Sequence, residues 1–214
     1  MKYSIFDRLG CMPEIALFLQ ELGMDVVYPR VVLVGNKRCG KSALLRLVTG
    51  YDVMHGPIPY SVYMENTKVV NGNREGTLPT SWSQVHVAEV PYDLNLVRKY
   101  IEPKSSVIVV VISANEDLPR DLLSLVAEID PACERTVGVL THIDTKLPKE
   151  IASHLLSNDL EIPFKLIGFS SGTNWFEGHA FFSNLPLGFA GLASVIEHIG
   201  QLSSRVFSNH VRHM

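Results

Sequence analysis

Gly35-Asn36-Lys37-Arg38-Cys39-Gly40-Lys41-Ser42 sets two glycines, a lysine and a hydroxyl at the spacing that grips a polyphosphate. Gly35 and Gly40 let the backbone bend tightly and approach an anion without a Cβ in the way. Successive N–H groups from Asn36 to Ala43 then converge on the phosphates. A helix starting near Lys41 adds its positive end. Lys41 is expected to reach the β- and γ-phosphates, and the Ser42 hydroxyl to ligate Mg²⁺. Lys37 and Arg38 are placed to supply positive charge at the β–γ bridge. Pointing both side chains into solvent, where they merely favour an anionic ligand, is the alternative.

The loop needs a strand before it and a helix after it. Val31-Val32-Leu33-Val34 is an apolar β-branched run, and Lys41–Thr49 has helical character. Further along, Val85–Val90 alternates as a short strand, and Asp93–Ile101 reads as helix. Val107–Ile112 reads as a buried strand and Leu118–Ile129 as an amphipathic helix. Thr136–Leu140 is a strand, Lys149–Leu156 a helix and Phe164–Phe169 a last strand. Strands alternating with helices predict an α/β fold, a P-loop NTPase with a mostly parallel central sheet flanked by helices. Strand order is not readable from this pattern.

The organisation expected is an N-terminal helical segment at 1–29, the P-loop domain at 30–190 and a C-terminal helix at 191–214. Ile15, Phe18, Leu19 and Leu22 form one stripe, and Leu192, Val195, Ile196, Ile199, Leu202 and Val206 another. The two end helices are expected to pack together, with Phe18 and Leu22 near Ile199 or Leu202.

With 214 residues and a net charge of −3, the chain buries a sizeable core and carries no global basic field. Nucleic acid is therefore a poor partner. Cys11, Cys39 and Cys133 are too few and too scattered for a disulfide framework or a zinc site, which favours a reducing, cytoplasmic setting. The longest apolar run is too short to span a bilayer. His210 and His213 have helical spacing but sit at the chain terminus, where chance is the better explanation.

In Tyr100–Asp144 the chain resembles the GTPase domain of the dynamin superfamily. An apolar strand runs into Ala114-Asn115-Glu116-Asp117-Leu118, followed by Glu128-Ile129-Asp130-Pro131, Arg135-Thr136-Val137-Gly138 and Thr141-His142-Ile143-Asp144. Phe6-Asp7-Arg8-Leu9 and Ala180-Phe181-Phe182 add to the likeness, which covers nearly the whole chain. The resemblance implies guanine-nucleotide binding (GTP and GDP), Mg²⁺ dependence and slow GTP hydrolysis. It further implies that two nucleotide faces can pair as a homodimer. Membrane remodelling does not transfer, because in the family it needs a stalk and a lipid-binding region following the GTPase domain.

Carried over by position, Asp144 accepts the ring N–H and exocyclic amine of guanine, a bidentate contact adenine cannot make. As a plain structural residue, Asp144 would instead be a helix cap or turn residue. His142 stands where the family has lysine, with shorter reach and little charge at neutral pH. A later loop supplies an asparagine near the base, which falls on Ser171 or Asn174 depending on register; Asn174 keeps the amide.

The departures fall between residues 50 and 100. Where the family has a switch threonine, this chain has Gly56-Pro57-Ile58-Pro59-Tyr60-Ser61, and Ser61 alone could position Mg²⁺ or water. Where the family has Asp-Leu-Pro-Gly, this chain has Glu89-Val90-Pro91-Tyr92, and Glu89 can contact Mg²⁺ through water. Much of the second switch is missing. These departures keep a second reading open, that of a pseudo-GTPase interaction module with impaired or no turnover.

Overall fold

The computed structural model describes residues 29–49, 60–64, 85–156, 160–170, 185 and 188–212. The expected N-terminal helix, with Phe18 and Leu22, lies outside them. So do Gly56–Pro59, Ser171, Asn174 and Ala180–Phe182.

Six strands form one sheet in the order β2-β3-β1-β4-β5-β6. They are β1 (Arg30–Val34), β2 (Tyr60–Met64), β3 (Val85–Glu89), β4 (Ser106–Ser113), β5 (Thr136–Thr141) and β6 (Leu166–Gly168). Five run parallel, and β2 alone pairs antiparallel, against β3 at the edge. Parallel strands covered on both faces lose the in–out alternation and read as continuous apolar runs. All eight residues of β4 are buried, and all six of β5.

Helices α1 (Lys41–Thr49) and α5 (Gly191–Arg212) cover one face; α2 (Leu94–Ile101), α3 (Arg120–Ile129) and α4 (Pro148–Leu156) cover the other. On the first face Leu44, Leu45 and Val48 of α1 meet Val31, Val107, Val109 and the stripe Val195, Ile196, Ile199, Leu202 and Val206 of α5. The C-terminal stripe therefore seals the sheet face on which the loop helix sits. On the second face Val97, Ile101, Leu122, Val126 and Ile151 close over Val32, Ile108, Val110 and Leu140.

Polar groups fix the ends of the elements. Asp93 caps α2 by accepting Leu96 N–H at 3.0 Å. Asp130, where α3 stops, accepts from Glu134 N, Arg135 N and Thr136 Oγ1 and so aims the chain into β5. Arg135 donates to the carbonyls of Ile101, Pro103 and Ser106, and burial lowers its pKa.

The chain leaves β1 toward β3 on one side and, after α2, enters β4 on the other. The crevice at the carboxyl ends of β1 and β4 is thus a topological switch point, where open α/β sheets take their ligands. The eight-residue loop starting at Gly35 sits there.

Candidate functional site

The loop leaves β1 at Gly35, whose φ is +154°. An added Cβ would run into Val111 O and lie 2.7 Å from Cys39 Sγ. Only glycine lets the loop pass this close to β4. Gly40, at φ +96°, turns the chain into α1, and its carbonyl accepts Leu44 N–H at 3.0 Å. By helix geometry, the amides of Lys41, Ser42 and Ala43 in the first turn lack intrahelical acceptors and present donors to a ligand.

Lys41 is buried, with its ammonium turned under the loop. Nζ donates to Gly35 O at 2.9 Å and Asn36 O at 2.6 Å, and lies 3.9 Å from Cys39 Sγ. The loop carbonyls hold this charge at the floor of the anion site. Lys37 and Arg38 are exposed on the loop's outer side, Arg38 in the left-handed region at φ 65°. Asn36 Nδ2 sits 3.5 Å from Glu116 Oε2. Cys39 is buried, and its thiol pKa is raised by that burial, partly offset by Lys41.

Ser42 Oγ donates to Glu89 Oε1 at 2.7 Å. The two residues expected to hold Mg²⁺ are thus brought together from α1 and the end of β3. Glu89 pairs in register with Leu33 of β1 on one side and Tyr60 of β2 on the other. Its Oε2 is shut away from solvent and accepts no hydrogen bond. A buried carboxylate oxygen without a donor is costly, and a divalent cation is the partner that would satisfy it, so Ser42 and Glu89 fit such an ion.

Ser61 stands in β2, in register with Ala88. It belongs to a paired edge strand that begins beside the site, and so departs from the loop setting a switch hydroxyl would have. Beyond β3, Val90 N–H donates to Leu33 O and the chain turns through Pro91, Tyr92 and Asp93 straight into α2. Tyr92 is exposed. The second-switch region is therefore a four-residue turn.

The residues expected to read a base follow β5. Thr141 Oγ1 lies 2.6 Å from Cys39 O and 3.1 Å from Ile112 O, tying the end of β5 to the phosphate loop. Thr141 also packs on Gly40, where an added Cβ would come within 3.3 Å. His142 adopts φ 53°, and its Nδ1 lies 3.2 Å from both Ser113 Oγ and Thr141 Oγ1. The backbone then coils through a 3-10 turn, Ile143–Thr145, that leaves Asp144 exposed at the mouth. Thr145 Oγ1 donates to Asn115 Oδ1 or His142 O, each at 2.6 Å. The fold gathers residues 35–43, Glu89 and 141–144 at one end of the sheet. Ser113 and Asn115, which hold the turn after β5 through His142 and Thr145, have no role assigned from the sequence. Their signal was polarity ending an apolar strand.

Bovine (Bos taurus) dynamin-2 is 32% identical over 53% of this chain and 14% of its own length. The interferon-induced GTP-binding protein Mx of Gallus gallus is 24% identical over 58% of this chain and 27% of its own. These relatives support a dynamin-type G domain. The chain spans about a quarter or less of the length of those relatives. No protein-family model matches it. Among solved structures, the LeoA bacterial dynamin GTPase from ETEC superposes with a TM-score of 0.50 at 14% identity, covering 95% of this chain and 41% of that one, which supports the fold. Among the described residues no helix is long and apolar enough to cross a membrane, and no three histidine, cysteine or carboxylate residues are grouped to hold a metal by themselves.

Proposed function

We propose that this chain binds guanine nucleotide with Mg²⁺ in the crevice between the Gly35–Ser42 loop and the Thr141–Asp144 turn, and hydrolyses GTP slowly to GDP and phosphate. The observation that carries the reading is the hydrogen bond from Thr141 Oγ1 to Cys39 O, which holds a base-reading turn against a phosphate-binding loop 102 residues away in sequence.

Each group has a part in that chemistry. Lys41 and the first-turn amides of α1 bind the phosphates. Asp144 accepts the two guanine N–H groups, and His142 lies against the purine where a lysine stem would otherwise run. Ser42 and Glu89 would hold Mg²⁺, which when bound neutralises charge on the phosphate oxygens. Phosphoryl transfer is catalysed chiefly by such positioning and charge compensation. Lys37 and Arg38, exposed beside the loop, add positive charge in cis. Water is left to Ser61 or a backbone carbonyl, and this is why turnover is slow.

A second reading, a pseudo-GTPase interaction module, is favoured by one specific feature. The turn from Val90 to Asp93 has no loop that could close on a γ-phosphate. Timed phosphate release separates the two. Wild-type chain releases phosphate from GTP faster than Lys41→Ala, whereas equal rates would leave only the module.

A further inference from the structure

Glu89 differs from an aspartate at the same strand end by one methylene, and that length matters here. Its Oε1 lies 2.7 Å from Ser42 Oγ, with no space for anything between them. Neighbouring ligands around an octahedral Mg²⁺ lie about 2.9 Å apart when each metal–oxygen bond is about 2.05 Å. The hydroxyl and the carboxylate are therefore already spaced as two adjacent ligands of one ion. The other oxygen, Oε2, is closed to solvent and has no donor. The loop's buried cation, Lys41, is turned to Gly35 O and Asn36 O instead. Glu89 is also fixed by backbone pairing on both sides, to β1 and β2, so it cannot swing away as a loop residue would.

We infer that Glu89 ligates the cation directly, together with Ser42, and that the protein thereby holds the ion without help from a γ-phosphate. The inference rests on the nucleotide reading above. It adds that the metal site is built into two fixed elements and stays loaded with GDP, so cation binding does not report which nucleotide is present.

Mn²⁺ tests this in the full chain saturated with GDP. Glu89→Asp shortens the side chain, keeps the charge and leaves reach only through water. Pulsed electron paramagnetic resonance in deuterated water counts the water molecules on Mn²⁺. The aspartate variant should show one more than wild type and bind Mn²⁺ about tenfold more weakly, while GDP affinity in metal-free buffer stays the same. An unchanged water count overturns the inference alone. Failure of GDP to bind either with Mn²⁺ or in metal-free buffer overturns the nucleotide reading, and the inference with it.

Discussion

At the residue scale the site depends on backbone that tolerates no side chain and on a charge held by carbonyls. Gly35 has no room for a methyl group, because Val111 O of β4 occupies that position. Gly35→Ala should lower stability by about 3 kcal/mol or more, since the clash is with backbone and cannot be relieved by a rotamer change. Urea unfolding of the two chains measures it. Cys39 makes a second prediction. Burial raises its thiol pKa, so the neutral form is the one the folded chain prefers. A thiol whose folded pKa exceeds its unfolded value contributes stability that is fully present below the unfolded value, near pH 8.5, and is lost as pH rises through the folded one. Stability should therefore fall more steeply above about pH 8.5 in wild type than in Cys39→Ala. In the native state iodoacetamide should modify half-exposed Cys133 well before Cys39. Parallel unfolding curves across that range would show that Cys39 carries no such linkage.

At the element scale the Gly35–Ser42 loop and the Thr141–Asp144 turn are separate pieces of chain held in register by β1, β4 and β5. Thr141→Val keeps the volume and removes the hydroxyl between Cys39 O and Ile112 O. Because both carbonyls are buried there, the change should cost about 1–2 kcal/mol in urea unfolding and weaken GDP measurably in the same samples. A variant as stable as wild type would mean that the two pieces are not coupled through this bond. Most of the elements could be read from the chain: the β-branched runs Val31–Val34, Val107–Ile112 and Thr136–Leu140 are strands, and the glycine loop sits between strand and helix as its spacing required. The sheet order could not be read, because pairing of β1 with both β3 and β4 is decided by long-range packing that no local pattern records. The Thr141–Cys39 contact was hidden for the same reason. Ser61 stands in β2 rather than in a loop because it pairs with β3, a partner its own sequence does not name.

At the scale of the whole molecule, α5 ties the C-terminal segment into the face that carries α1, so the helix that presents Lys41 and Ser42 rests on Ile196, Ile199 and Leu202. The proposed nucleotide crevice is thus set at the end of the sheet whose face α1 and α5 cover. Discrimination between bases belongs to this scale, because under the proposed function Asp144 would read a base only while the loop about a hundred residues earlier holds its phosphates. Isothermal titration of the full chain with GTP, GDP and ATP, with and without Mg²⁺, tests this most directly. Binding of GTP and GDP that strengthens with Mg²⁺, and an ATP affinity at least about tenfold lower, is the predicted result, since losing a charge-assisted contact costs about 1.5–3 kcal/mol. ATP binding as tightly as GTP, or no nucleotide binding at all at millimolar ligand, would contradict it.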